Sequence, residues 1–338
     1  MPAALAAVLA LLAGTAAPMP EPKTCPVELH VLGTAQDGGA PQLGHEEDPA
    51  WADPSLRRTA TSLGVFDRAA GKRWLIEATP DLREQMHRFL KATPEGRPIG
   101  PGYAGVDGVF VTHAHMGHYT GLMFFGREVM GARGLPVWTM PGMAAYLGAN
   151  GPWSQLVRLE NIALKPLAHH VPVELGAVTV TPIRVPHRQE YSEVVGFRIQ
   201  GPGRRVLFIP DIDRWEDFLP PIEPSVAAPA AKEGPSQAPP LWRDGSIEAE
   251  LAAADVAYLD GTFWADGELP GRDMSKIPHP MISSSLKRFA PLPAAERAKI
   301  RFIHLNWSNP ARFPGSEARR VIEAAEMGVA EEGERVCL

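Results

Sequence analysis

Cysteine is nearly missing from this chain of 338 residues, which has only Cys25 and Cys337. Neither has a partner at metal-site spacing, so a cysteine-ligated centre is excluded. The two could close one disulfide between the ends of an exported chain, or stay two unrelated thiols. Positive charge is not concentrated either. Lys and Arg number 33 against 39 Asp and Glu, a net charge of −6, and no basic cluster stands out. That argues against a dedicated nucleic-acid surface. Outside the N-terminal segment no run is long and apolar enough to cross a membrane. No repeat of solenoid length recurs.

What remains is an ordinary globular composition, 45% hydrophobic and 21% charged, with 35 prolines that gather in loops. Residues 3–12 have the length of a signal-peptide core, and small residues at Gly14 to Ala17 offer a cleavage site, although no Lys or Arg precedes Lys23. The expectation is a leader over residues 1–20 and a periplasmic or secreted chain. The alternative is a disordered leader on a cytoplasmic one. Residues 26–330 are read as a single domain. At about 220–245 a stretch rich in Pro, Ala, Ser and Gly is expected to be a flexible insertion.

Hydrophobic patterning predicts strands at 28–32, 61–66, 73–76, 106–111, 136–140, 178–185, 194–200, 205–209, 256–259 and 300–303. Helices are expected at 81–90, from Gly121 onward, from Met143 and at 316–327, with Asp81 capping the first. The two halves have similar element order. That fits two packed sheets with helices on their outer faces.

One stretch carries the chemistry: Thr112-His-Ala-His-Met-Gly-His-Tyr119, directly after an apolar run. Side chains alternate along a strand, so His113 and His115 point to one side, and His118 can turn back to join them. His187, Asp211 and His304 also stand at strand ends. Strand-end loops on one edge would converge on a single site of five histidines and one carboxylate, enough for two metals. His30, His87, His169 and His170 are read as structural.

These residues resemble, in order and local context, the metallo-β-lactamase superfamily, whose usual motif is His-x-His-x-Asp-His followed by a distant His, Asp and His. The resemblance implies an α/β fold, the αββα four-layer sandwich. It also implies the metal ligands His113, His115, His118, His187, Asp211 and His304. The segment around His187 resembles the tRNA 3′-processing branch. A closer resemblance is to the coenzyme PQQ biosynthesis protein B family. It rests on Gly38-Gly-Ala-Pro-Gln42, Glu77-Ala-Thr-Pro-Asp-Leu-Arg83, Asp260-Gly-Thr-Phe-Trp264 and Ile303-His-Leu-Asn-Trp-Ser-Asn-Pro310. That family commonly lacks the first two histidines, which this chain keeps.

Gly117 stands where the superfamily has its aspartate. His113, His115 and His187 remain a three-imidazole set with an open position, the pattern of catalytic zinc. His118, Asp211 and His304 form a second set, which zinc or iron accepts. The second metal is expected to bind weakly, and Gly117→Asp to tighten it. Asp211 is expected to bridge the metals. Proton handling falls to Asp213, or to Asp260 with His279. Asn306 and Asn309 are expected to order the loop carrying His304. Three functions fit. One is a metal-dependent hydrolase with one or two zinc ions, acting on an ester, lactone, amide or phosphodiester. The second is an iron-dependent oxygenase acting on a peptide or PQQ precursor. The third is a non-catalytic metal carrier. The partner is a small-molecule or peptide substrate.

Overall fold

Alternating and continuous apolar runs place the strands. The computed structural model describes residues 25–216 and 246–338. The expected leader at 1–20 and the insertion at about 220–245 lie outside the described residues. In chain order the strands are β1 (Val27–Gly33), β2 (Ser62–Asp67), β3 (Lys72–Ile76), β4 (Gly108–Phe110), β5 (Leu135–Thr139) and β6 (Ile162–Pro166). They continue as β7 (Val173–Glu174), β8 (Thr179–Arg184), β9 (Val195–Gln200), β10 (Arg205–Ile209), β11 (Val256–Asp260), β12 (Ile300–Ile303), β13 (Gly328–Val329) and β14 (Arg335–Cys337). Two seven-stranded sheets result, ordered β14-β1-β2-β3-β4-β5-β6 and β13-β12-β11-β10-β9-β8-β7.

The helices are α1 (Leu82–Ala92), α2 (Met116–Tyr119), α3 (Pro141–Ala149), α4 (Trp153–Arg158), α5 (Ile247–Ala253), α6 (Ile282–Phe289), α7 (Ala294–Arg297) and α8 (Glu317–Ala324). Among the described residues none is long and apolar enough to cross a membrane. Three buried clusters define the layers. Leu29, Val65, Phe110, Phe197, Phe208 and Tyr258 fill the space between the sheets. Leu82, Phe89, Leu122 and Leu147 pack helices on the first sheet. Ile247, Leu251, Ile282, Phe289 and Ile322 pack helices on the second. Strand β10 shows the period of two. Val206 and Phe208 join the inter-sheet layer, and Leu207 and Ile209 the outer one. This is the α/β, αββα sandwich.

Some local expectations change. After Gly121 the chain forms a 3-10 turn, Thr120–Phe125, in place of a full helix. Asp81 stands at the start of α1 but makes no side-chain cap. Its Oδ2 instead accepts from Ala60 N at 2.8 Å, tying the helix start to another loop. The cysteine question resolves as a disulfide between Cys25 and Cys337, with Cα atoms 5.6 Å apart.

Strand direction positions the site. β1 is antiparallel to β2, and β2 to β3, while β3 to β6 run parallel. In the second sheet β8 and β10 flank the antiparallel β9, and β10 to β13 run parallel. The carboxyl ends of β1, β3, β4, β8, β10, β11 and β12 therefore face one edge of the sandwich.

Candidate metal centre

Each site residue follows one of those strand ends. β4 leads to His113, His115 and, within α2, His118; β8 leads to His187, β10 to Asp211 and β12 to His304. The structure brings all six together. Asp211 sits at their centre. Its Oδ2 lies 2.9 Å from His118 Nε2, 3.5 Å from His304 Nε2 and 3.8 Å from His113 Nε2. Its Oδ1 lies 3.8 Å from His187 Nε2. His113, His115 and His187 form one candidate ligand group on one side of it.

The tautomers follow from the outer ring nitrogens. Thr112 Oγ1 donates to Glu77 Oε1 at 2.5 Å, so it must accept from His113 Nδ1, 2.8 Å away. Thr262 Oγ1 donates to Asp260 Oδ1 at 2.8 Å and stands 2.9 Å from His304 Nδ1 in the same relation. Glu77 Oε1 accepts directly from His118 Nδ1 at 3.2 Å, and Asp213 Oδ1 from His187 Nδ1 at 2.8 Å. Glu190 Oε2 accepts from His115 Nε2 at 3.0 Å. Every one of the five rings thus has one nitrogen fixed by a carboxylate, directly or through a threonine. The other nitrogen is the one turned inward, and in the neutral ring it offers the lone pair that a metal ligand requires.

The inner atoms lack hydrogen bonds. His113, His118, His187 and His304 Nε2, Asp211 Oδ2 and Asp37 Oδ1 are all buried without a hydrogen-bond partner. Leaving such groups bare costs about 1–3 kcal/mol each, so their convergence calls for a shared ligand. A metal ion fits. Two atoms each about 2.1 Å from one ion stand roughly 3.0–3.4 Å apart, close to the separations around Asp211 Oδ2. The electrostatics agree. Without a metal, Glu77 and Asp211 overcome the burial that opposes charge on His118 and hold its pKa well above the ordinary imidazole value, so a cation at this point replaces the inner proton of the ring. Burial also opposes ionisation of Asp211, but His304 and His118 hold it well below the usual carboxylate range. At His113 and His115 burial outweighs Asp211 and Glu190 and, with the neighbouring histidines, pushes both rings down.

Two positions are held in left-handed backbone, Glu77 at φ 77° and His304 at φ 64°. Such geometry costs on the order of 1 kcal/mol or more for a non-glycine residue and concentrates at functional sites. Sequence reading missed Glu77, Glu190 and Asp37 as members of the site. The motif Glu77-Ala-Thr-Pro-Asp-Leu-Arg83 signalled the segment without signalling a role.

The proton-handling candidates separate. Asp213 is engaged as the partner of His187. Asp260 is fully buried, and its Oδ2 accepts from Ile212 N at 3.0 Å while lying 2.7 Å from His279 Nδ1. His279 also stands 3.7 Å from Asp211 Oδ1. Burial disfavours its charge, but Asp260 and Asp211 raise its pKa above the ordinary value. Asn309 Nδ2 donates to Gly261 O at 2.8 Å, and Asn306 N to Thr262 O at 2.9 Å, so both tie the His304 loop to the loop after β11.

The expectation for Gly117 needs correction. A Cβ there would stand 2.1 Å from Asp37 Oδ1 and 2.5 Å from Asp37 Cα. The place is already filled, so an aspartate cannot simply be added.

A cleft of about 990 Å³ opens beside the cluster, lined by residues that include Asp37, Asp81, Arg188, Arg272, Lys276, His279 and Trp307. His45 stacks on Trp307 with ring centroids 3.5 Å apart, forming part of its wall.

Comparison with known proteins agrees with this architecture. Residues 72–228 match the family described as the beta-lactamase superfamily domain. Coenzyme PQQ synthesis protein B of Methylorubrum extorquens (strain PA1) is 24% identical over 330 residues, covering 90% of this chain and 97% of that protein. The protein of the same name from Methylobacterium nodulans is 28% identical over 333 residues, again 90% of this chain and 97% of that one. Among solved structures, Zn(2+)-bound PqqB from Methylobacterium extorquens has a TM-score of 0.69 at 22% identity, covering 92% of this chain and all of that one (100%). A diphosphatase from the PhnP family has a TM-score of 0.60 at 20% identity, covering 92% and 98%.

Proposed function

We propose that this chain, which has the metallo-β-lactamase fold and is similar to coenzyme PQQ synthesis protein B, is a metal-dependent hydrolase. The observation that carries the reading is the convergence of partnerless ring nitrogens and carboxylate oxygens on Asp211. His113, His115 and His187 would hold one ion; His118, Asp211 and His304 would hold the other, with Asp211 between them. Zinc bound there supplies Lewis acidity and lowers the pKa of water to about 7.

The remaining steps belong to side chains. Glu77, Glu190, Asp213 and Thr262 fix the tautomers and aim the rings. Asp260 holds the proton on His279 Nδ1, which fixes a ring that lines the cleft. From there His279 can serve the leaving group as an acid. Arg188, Arg272 and Lys276 in the cleft favour an anionic ester, with a phosphodiester foremost. The disulfide supports work in an oxidising compartment, periplasmic or secreted.

The zinc-bound structure of a similar protein supports zinc as the metal. The test is metal content and turnover of protein purified without added metal. We expect zinc, together with hydrolysis of bis(nitrophenyl) phosphate or nitrophenyl esters, and at least a hundredfold loss of turnover in His115→Ala. Iron with oxygen consumption and no ester turnover would favour an oxygenase acting on a peptide or PQQ precursor. Retained metal without turnover would favour a carrier.

A further inference from the structure

We infer that Asp37 is a ligand of the second metal, delivered from the loop after β1 into the place that the motif's aspartate would occupy at Gly117. The inference rests on the metal-site reading above. Three observations carry it.

The first is space. A Cβ at Gly117 would meet Asp37 Oδ1 at 2.1 Å, Cα at 2.5 Å and Cγ at 2.7 Å. One carboxylate fits in this cradle, and it comes from either residue 37 or residue 117. The glycine is the condition for the aspartate.

The second is the unpartnered oxygen. Asp37 Oδ1 is buried and has no hydrogen-bond partner, although the side chain as a whole is 31% exposed toward the cleft. It lies 3.1 Å from His118 Nε2 and 3.7 Å from His304 Nε2, the inward-facing nitrogens of two rings whose outer nitrogens are held by Glu77 and Thr262. In the metal-free protein a proton on His118 bridges this gap; with a cation in its place the carboxylate oxygen and the two ring nitrogens stand as co-ligands.

The third is rigidity. The loop is fastened to the segment that carries His304: Gln36 N donates to Leu305 O, and Leu305 N to Thr34 O, both at 2.9 Å. On its other side Thr34 N and Ala35 N donate to Thr59 O at 3.0 and 2.9 Å. Gly39, at φ +70°, closes the turn through its N–H to Gln36 O at 2.8 Å. The loop therefore places Asp37 in register with His304. The second site then has His118, His304, Asp211 and Asp37. It is not short of a ligand, and the weak second metal expected from Gly117 is replaced by a complete donor set.

The test is zinc stoichiometry and affinity, measured on chelator-stripped protein against a chromophoric competitor. Wild type is expected to bind two ions. Asp37→Asn should weaken one of them by at least about 100-fold, more than the loss of an outer partner costs, and leave the other within about threefold. Gly117→Asp alone should not tighten the second ion. The paired change Asp37→Gly with Gly117→Asp should return its affinity to within about tenfold of wild type. Thermal melts of the zinc-free proteins check that each variant folds. An Asp37→Asn protein that binds both ions as wild type does would overturn the inference, as would a folded paired variant that regains nothing. A wild type that binds no zinc at all would instead sink the metal reading itself.

Discussion

Glu77 is a fully buried carboxylate that faces His118. It accepts from Thr112 N and Thr112 Oγ1, and it holds His118 Nδ1. One side chain thus orients a ring of each proposed metal site, His118 directly and His113 through Thr112. Glu77→Gln preserves shape and removes the charge. Its expected effect is a roughly 10–100-fold loss of zinc affinity, read by competition titration. The melting temperature of the metal-free protein should change little, because the amide oxygen still accepts from Thr112 and His118 becomes neutral once the Glu77 charge is gone. A variant that melts lower and binds zinc normally would make Glu77 a folding residue only. At this scale the sequence was half legible. The histidines announced themselves through their spacing. Asp37 and Glu77 could not, because nothing in the local pattern says that two distant loops end at the same point.

The elements explain why the histidines were the easier part. Each follows a strand of four to six residues or a short apolar run, and those signals survive in sequence. The edge strands β7 and β13 have two residues and β14 has three, too few to show a period. The close approach of α1 to the first sheet was equally silent. Gly64 on β2 lies under the ring of Phe89, and a Cβ there would meet that ring at 2.7–2.9 Å. Both partners are buried. Gly64→Ala should therefore push α1 off the sheet and cost about 1–3 kcal/mol in a denaturant melt. None of the proposed ligands lies on α1, so zinc stoichiometry of the folded fraction should stay at the wild-type value. A change in stoichiometry would mean that α1 supports the site more directly than its contacts indicate.

For the whole molecule, the decisive fact is that the two described ends meet. Cys25 precedes β1 and Cys337 ends β14, and β14 pairs with β1 in the register Glu28↔Cys337. The bridge spans 312 residues of sequence, so it removes much freedom from the unfolded chain. Loss of a native bridge costs about 2–4 kcal/mol, or roughly 3–6 °C for a domain of this size. The metal centre sits at the other end of β1, beyond Gly33 and about seven residues of extended chain away, on the order of 20 Å. Reduction should therefore lower the melting temperature of the wild type and leave its zinc content alone. A Cys25→Ser, Cys337→Ser protein should melt at the reduced value with or without reductant. Zinc loss on reduction would join the two ends of the sheet into one cooperative unit. Retention of zinc would show that the site is built by the strand ends, with the bridge stabilising the edge of the sheet behind them.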